Sequence, residues 1–163
     1  MAAGLRALAF PMLLGMALCL LLGGCALFRS ADDGAAPASA QKIVKTAYGQ
    51  MGKQYRLGGA SPRKGFDCSG LVWWAYRMNG YKVPRVTTEQ ARAGRAVSKR
   101  NARAGDIVVF RTGHSPRGLH TGLYAGGGAF IHSPNRKGRV RVERMDGDSY
   151  WGRKLISVRR VVQ

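Results

Sequence analysis

The segment that most constrains the fold covers residues 68–79, near the middle of the chain. Apolar side chains occupy nearly every side of a helix drawn through it: Leu71, Val72, Trp73, Trp74, Ala75, Tyr76 and Met78. Asp67 stands just before the segment as a good N-cap, and Gly80 follows it as a helix terminator. A helix that is apolar all round is buried among other elements. The pattern therefore predicts a helix at the centre of the domain, with its N-terminus pointing into structured surroundings.

The segments on either side predict two further helices and a set of strands. Residues 41–51 carry apolar side chains at helical spacing, and residues 87–94 begin with a capping-box pattern in which Thr87 precedes Gln90. Short β-branched or alternating segments, separated by Gly, Pro and Asn, predict strands over residues 106–111, 119–125, 129–133, 139–143 and 154–162. Helices followed by antiparallel strands indicate an α+β fold.

The first 40 residues have the composition of a targeting sequence and a linker. Arg6 precedes an apolar stretch over residues 8–22, and Leu22-Gly23-Gly24-Cys25 resembles a bacterial lipobox. We expect residues 1–24 to be a lipoprotein signal peptide, Cys25 to carry the lipid anchor, residues 25–40 to be a flexible tether and residues 41–163 to form the folded domain. An ordinary signal peptide is the alternative. An Asp directly after the lipidated Cys would favour retention in the inner membrane. Because Ala26 occupies this position instead, we predict that the protein is anchored at the periplasmic face of the outer membrane.

The charge balance points to a polyanionic neighbour. The chain has 27 Lys and Arg against 8 Asp and Glu, a formal charge of +19, and loss of residues 1–24 leaves +18 because only Arg6 is removed. Cell-wall carboxylates and membrane phosphates are both suitable counterparts, with a solvated basic face as the alternative. The basic residues between Arg85 and Arg117 are not interleaved with aromatic side chains, which argues against a single-stranded nucleic-acid site.

Cys68 is the candidate nucleophile. If Cys25 is lipidated and Cys19 leaves with the signal peptide, Cys68 is the sole free thiol of an exported protein. Its place in the first turn of the predicted helix puts the sulfur beside unpaired backbone amides and the positive end of the helix dipole, and both favour a thiolate. The dipole contributes only about 0.3–1 kcal/mol, whereas one pKa unit needs about 1.4, so a nearby cation is also needed.

Two of the three histidines, His120 and His132, lie on adjacent predicted strands joined by a turn of three glycines, residues 126–128. In an antiparallel hairpin they share a face only if paired residues have an even index sum. One imidazole then serves as base to Cys68 while the other orients it. We assign His120 as base and His132 as orienting residue, although the residues alone also allow the reverse. His114 is predicted to be a solvated loop residue, and one Cys with two His does not make a zinc site.

Several motifs, in order, resemble those of the NlpC-type cell-wall peptidases of the NlpC and p-sixty superfamily. The motifs that carry the resemblance are Tyr55-Arg56-Leu57-Gly58-Gly59, Phe66-Asp67-Cys68-Ser69-Gly70-Leu71-Val72, Gly105-Asp106-Ile107-Val108-Val109-Phe110, His120-Thr121-Gly122-Leu123-Tyr124 and Phe130-Ile131-His132-Ser133. The resemblance covers residues from about 41 to 160. Thr121 departs from it, since a β-branched apolar residue is common there, and the basic loop over residues 112–118 is longer than usual.

The resemblance implies a papain-like fold in which the Cys-bearing helix packs on an antiparallel sheet of about five to six strands, within a catalytic domain over residues 41–163. It also implies hydrolysis of amide bonds in peptidoglycan stem peptides through an acyl-enzyme, without metal or other cofactor. We expect a monomer, although the residues themselves do not give the oligomeric state. Carried over by position, Cys68 is the nucleophile, His120 the base and His132 the orienting residue. Tyr55 supports the oxyanion or the substrate, Asp67 and Ser69 flank the cleft, and Arg85 is a candidate carboxylate contact.

Two other functions remain open from the sequence. One is a peptidoglycan-binding lipoprotein without hydrolytic activity, and the other is an acyltransferase or amidase that acts on a different acyl substrate. The sequence also leaves open which bond is cleaved: the D-Ala to diaminopimelate cross-link, or the γ-D-Glu to diaminopimelate bond within a stem.

Overall fold

The structure, a computed structural model, describes residues 35–113, 118–134 and 137–163. The predicted signal peptide, Cys25, His114 and most of the basic loop lie outside these residues. Four helices are described: α1 (Ala38–Tyr48), α2 (Cys68–Arg77), α3 (Thr87–Gln90) and α4 (Tyr150–Lys154). The strands are β1 (Ala60–Ser61), β2 (Gly65–Phe66), β3 (Arg95–Val97), β4 (Ile107–Arg111), β5 (Leu119–Gly126), β6 (Ala129–His132), β7 (Arg141–Arg144) and β8 (Leu155–Arg160).

The main sheet has six strands in the order β3-β8-β4-β5-β6-β7, and every neighbouring pair is antiparallel. The five predicted strands correspond to β4 through β8, and β3 adds a sixth at one edge. The short strands β1 and β2 form a separate pair just before α2. The predicted α+β fold, with the Cys-bearing helix packed on an antiparallel sheet, is therefore confirmed.

The alternation of side chains along the central strands gives the sheet two apolar faces. On one face, Ile107, Val109 and Leu123 pack in a single buried cluster with residues of α1 and α2. On the other face, Phe110 and Phe130 belong to a second buried cluster, against which Trp151 of α4 packs. Both layers depend on β4 and β5, whose predicted β-branched and apolar runs are buried on both sides. Among the described residues, no helix has the length and apolar character needed to cross a membrane.

The helix boundaries differ from the prediction at several places: α1 ends at Tyr48 rather than at residue 51, α2 at Arg77 rather than near residue 79, and α3 at Gln90 rather than at residue 94. Helix α1 begins at Ala38 rather than at residue 41, because Pro37 takes an extended backbone conformation at its N-cap and Ala40 is buried in the core. The predicted capping box of α3 is wrong. Val86 is the N-cap, and the side chain of Gln90 is instead fully buried, where it contacts α2 and β5. The short elements α4 and β3 were not predicted.

A buried ion pair joins Arg160, at the end of β8, to Asp106, which directly precedes β4. Arg160 Nε and Nη2 donate to Asp106 Oδ1 and Oδ2 at 2.9 and 2.7 Å, and the two side chains are only 7% and 5% exposed. Arg160 Nη2 also donates to the carbonyl of Asn101. The pair has bidentate geometry, so each charge offsets the desolvation of the other.

Removing one partner of this ion pair should destabilise the protein strongly. We expect Asp106→Asn to lower the free energy of unfolding by about 3–5 kcal/mol, since the guanidinium of Arg160 stays buried without its counter-charge. Asp148→Asn, a change at an exposed carboxylate, is the matched control and should change stability by less than about 0.5 kcal/mol. Urea unfolding of both variants tests this, and equal stabilities would contradict it.

Candidate active site

Cys68 occupies the first position of α2, as predicted from the Asp67 cap. Asp67 Oδ1 accepts from the backbone amide of Gly70 at 2.6 Å, and Oδ2 accepts from the amide of Gly58 at 2.8 Å. Gly70 is needed here because a Cβ on it would lie 2.0 Å from the carbonyl oxygen of Gly59. The cap and this close approach hold the start of α2 against the loop that precedes it, and they leave Cys68 buried.

The hairpin of β5 and β6 brings the two predicted histidines together. Leu123 pairs with Ile131 and Tyr124 with Phe130, both with an even index sum, so the condition for a shared face is met. His120 Nε2 and His132 Nδ1 lie 2.8 Å apart, within hydrogen-bond distance, and the rings meet edge to face at an interplanar angle of 86°. Both imidazoles are buried.

Gly122 makes room for this pair of imidazoles. It follows His120 on the same face of β5, and a Cβ at this position would come within 3.2 Å of the Cβ of His132. The same atom would lie 2.8 Å from the ring of Phe130 and 2.8 Å from the carbonyl oxygen of Ile131. A side chain at residue 122 would therefore push β6, and His132 with it, away from His120.

The sulfur of Cys68 lies against the strand that carries His120. The backbone amide of Thr121, the next residue along β5, interacts with the sulfur. The hydroxyl of Thr121 donates to Gln90 Oε1 at 2.9 Å, and Gln90 Nε2 donates to the carbonyl of Ser69 at 3.0 Å. Gln90 is fully buried, so this polar link fixes the first turn of α2 against β5. Thr121 thus has a hydrogen-bond partner in this chain.

Burial sets the protonation states of the three side chains. It raises the pKa of the Cys68 thiol, while the amides of Thr121 and Ser69 act in the opposite direction. It also lowers the pKa of His120 to about 3 and lowers the pKa of His132. The amides at the start of the helix thus favour the thiolate, as expected, but burial has the larger effect on the pKa of Cys68. These shifts favour a neutral thiol and neutral imidazoles in the resting site.

A second polar cluster lies next to the nucleophile. Arg85 Nη1 donates to Asp67 Oδ1 at 2.9 Å and to Ser69 Oγ at 3.0 Å, and Nη2 donates to Asp67 Oδ2 and to the carbonyl of Gly59. The structure therefore brings together Arg85, Asp67 and Ser69, three of the residues named from the resemblance, and the guanidinium binds a carboxylate of the protein itself. The backbone of Tyr55 bridges to Phe66, immediately before Asp67.

Trp151 is a site residue that the sequence did not indicate. Its ring centroid lies 5.2 Å from that of His120 and 4.9 Å from that of His132, so one indole covers both imidazoles. The only local signal is the Tyr150-Trp151 pair in a short segment after a turn, and α4 was not predicted. An aromatic cover of this kind keeps water from the hydrogen bond between the two rings.

Two cavities in the described part of the chain lie apart from this site. One, of about 660 Å³, is lined by residues around Tyr124 and Met145, and the other, of about 350 Å³, is lined by basic side chains around Arg56 and Arg139. Neither is lined by Cys68. Among the described residues, no group of three or more His, Cys, Asp and Glu side chains is placed to hold a metal ion.

Comparison with known proteins identifies a family with this arrangement of elements. The model of the NlpC/P60 family matches residues 52–160. The chain is 39% identical over 132 residues to murein DD-endopeptidase MepH of Escherichia coli, covering 77% of this chain and 48% of that protein. It is 34% identical over 139 residues to gamma-DL-glutamyl hydrolase of Bacillus subtilis, covering 83% of this chain and 33% of that protein.

Solved structures agree with the sequence comparison. The crystal structure of an NlpC/P60 family protein from Bacillus cereus superposes with a TM-score of 0.69 at 30% identity, covering 81% of this chain and 43% of that chain. This chain spans less than half of the length of each of these three proteins, so the similarity bears on part of each.

A methyl group at residue 122 should disturb the histidine pair. We expect Gly122→Ala to lower the free energy of unfolding by about 1–3 kcal/mol, because the added Cβ overpacks the hairpin against His132. Gly49→Ala is the matched control, since that glycine has an ordinary φ of −61° and its Cβ would approach no atom closer than 3.4 Å. Denaturant unfolding compares the two, and equal stability of the variants would contradict the close approach.

The lowered pKa of His120 predicts a pH dependence of stability. The unfolded chain binds a proton near pH 6.5, whereas folded His120 does so only near pH 3, so stability is full above about pH 6.5 and is lost as the pH falls toward 3. Each such histidine contributes a slope of at most about 1.4 kcal/mol per pH unit. Urea unfolding between pH 7 and 5 should show a smaller slope for His120→Gln than for wild type. His114→Gln is the control, and an unchanged slope in His120→Gln would contradict the prediction.

Proposed function

This chain belongs to the NlpC/P60 family, and from that premise we propose that it is a peptidoglycan hydrolase, a cysteine endopeptidase that cleaves amide bonds in murein stem peptides or cross-links. The observation that carries the proposal is the placement of Cys68 at a capped helix start, against the strand that bears the linked imidazoles of His120 and His132. This arrangement supplies the nucleophile, the base and the orienting group that acyl transfer requires.

In the first half of the proposed reaction, the thiol proton moves to His120 as the sulfur attacks the scissile carbonyl. A carbon–sulfur bond forms, and the carbonyl electron pair becomes an oxyanion that backbone amides at the start of α2, with Tyr55, stabilise. The oxyanion collapses, the carbon–nitrogen bond breaks, and protonated His120 gives its proton to the departing amine. The product is a thioester on Cys68.

In the second half, water attacks the thioester with His120 as base, and the proton returns to the sulfur as the acid product leaves. His132 holds the ring of His120 through the 2.8 Å contact between their nitrogens. Because burial disfavours the charged forms of Cys68 and His120, the proton transfer accompanies the attack rather than preceding it. The reaction requires no metal or other cofactor.

For substrate binding, we propose the cluster of Asp67, Ser69, Arg85 and Tyr55 as the polar wall of the cleft. Its charged groups are already paired, so it offers the substrate hydrogen bonds of fixed direction rather than a free charge. The names of the relatives include a murein DD-endopeptidase and a gamma-DL-glutamyl hydrolase. Both bonds left open by the sequence therefore remain candidates for this enzyme.

We also propose that the enzyme works in the cell envelope, at the periplasmic face of the outer membrane, anchored through lipid on Cys25. The support is the apolar run that ends in Leu22-Gly23-Gly24-Cys25 and the formal charge of +18 on the remaining chain, which suits a neighbourhood of carboxylates and phosphates. We propose that the domain acts as a monomer.

Loss of the thiol should abolish hydrolysis without loss of the fold. We expect Cys68→Ala to reduce release of peptides from purified peptidoglycan by at least about 1,000-fold, because no other group forms the acyl-enzyme. His120→Ala should be similarly impaired, and His114→Ala is the control that keeps activity. Mass spectrometry of muropeptides released by the wild type identifies the new amino terminus and so the bond. Wild-type turnover by Cys68→Ala would overturn the proposal.

A further inference from the structure

The outer nitrogen of His132 faces a carboxylate that the reaction scheme above leaves unused. His132 Nε2 is buried and has no hydrogen-bond partner within 3.5 Å among the described residues. The carboxylate oxygen Oε1 of Glu143 lies 3.6 Å from it, and the Glu143 side chain is 24% exposed. This separation is slightly longer than a hydrogen bond and short enough for a strong charge–dipole interaction.

The register of β6 and β7 puts Glu143 on the histidine face of the sheet. Phe130 pairs with Glu143, and His132 pairs with Arg141, so all four side chains lie on the same face of the sheet. Glu143 is therefore the diagonal neighbour of His132. The carboxylate is held from two further sides. Arg141 donates to Oε1, and the indole nitrogen of Trp151 donates to Oε2. The same indole covers both imidazoles.

Glu143 is ionised at neutral pH. Its interaction with His132, followed by those with Trp151 and Arg141, lowers its pKa to about 2. In return the carboxylate raises the pKa of His132 and of His120, against the larger effect of burial. Among the described residues, the charged groups that act on His132 are Glu143 and Arg141 from β7, and Asp67 acts on the sulfur of Cys68 from the start of α2.

We propose that Glu143 is a positioning residue that fixes the tautomers of both histidines and stabilises the imidazolium formed during acyl transfer. Facing a carboxylate, His132 keeps its proton on Nε2, which leaves Nδ1 as the acceptor of the 2.8 Å contact. His120 then donates from Nε2 and keeps a lone pair on Nδ1. That lone pair is the one a base to Cys68 needs.

The carboxylate also acts on the charged intermediate. When His120 takes the thiol proton, the positive charge lies two side chains from Glu143, inside an apolar surround formed by Phe110, Phe130 and Trp151. Charges interact more strongly there than in water, so an ionised carboxylate at this distance favours the imidazolium. This inference deepens the proposed function of the same site and rests on it for the catalytic step alone.

The first test measures the tautomers of the two histidines and does not depend on enzymatic activity. Long-range proton–nitrogen NMR spectra, assigned with His114→Gln and His120→Gln, should show His120 and His132 protonated on Nε2 in the wild type. In Glu143→Ala we expect a second tautomer, with His132 protonated on Nδ1. In Glu143→Gln, whose amide oxygen still accepts a hydrogen bond, the wild-type tautomers should persist while both histidines titrate at lower pH.

The kinetic arm uses the same variants on purified peptidoglycan. Glu143→Ala should lose activity roughly 10- to 100-fold, mainly in kcat rather than in KM, by analogy with the loss seen when a partner that orients a metal-ligating histidine is removed. Glu143→Asp should recover part of it. Asp146→Asn is the matched control, since Asp146 pairs with exposed Arg144 and not with a histidine.

The outcomes separate the two proposals. A folded Glu143→Ala variant with wild-type tautomers, histidine titration and kcat would overturn the role of Glu143 whatever the enzyme hydrolyses. Absence of hydrolysis by the wild type, with the predicted tautomers present, would overturn the proposed function and leave the positioning of the histidines by Glu143 standing.

Discussion

The pairing register of β5 and β6 is the constraint on which the site depends. Because side chains alternate along a strand, a shift of one residue would turn His132 to the face that packs on α2 and separate it from His120. The three glycines at 126–128 have positive φ values, and the register shifts between Tyr124 and Gly126, so that Gly126 pairs with Ala129 at the turn while Tyr124 pairs with Phe130. The absence of a side chain at Gly122 then allows the two imidazoles to approach to 2.8 Å.

Burial creates the main electrostatic conflict in this site. The same apolar surround that raises the pKa of Cys68 and lowers that of His120 disfavours the pair of charges, imidazolium and oxyanion, that the proposed reaction forms. It also strengthens every fixed interaction that stabilises that pair, including the amides around the sulfur. A neutral resting site with fixed dipoles around it is suited to concerted proton transfer and protects the thiol from reagents that attack thiolates.

The sequence was most informative where local rules decide the structure. The Asp67 cap and the helix that begins at Cys68 follow from spacing, and five of the six main strands were predicted. The shared face of His120 and His132 was conditional on an even index sum, which holds because the register shifts between Tyr124 and Gly126. The contacts of Gln90 and Trp151 were not predicted, because each depends on elements distant in the chain. For Gln90 a local rule gave the wrong answer: a capping box is an option open to a solvated helix end, whereas this side chain is buried between α2 and β5.

The scarcity of acidic residues makes their positions informative. The chain has eight Asp and Glu against 27 Lys and Arg, so an acidic residue placed anywhere on the surface would pair with a cation. Asp146 forms such a pair with Arg144. Three acids instead hold groups of the fold or the site. Asp67 and Asp106 are buried, at the start of α2 and on Arg160, and the Glu143 side chain, 24% exposed, lies beside His132. Desolvating a carboxylate is unfavourable unless its partners compensate. In a chain this basic, these three acids therefore mark the positions where a fixed negative charge stabilises the fold or the site.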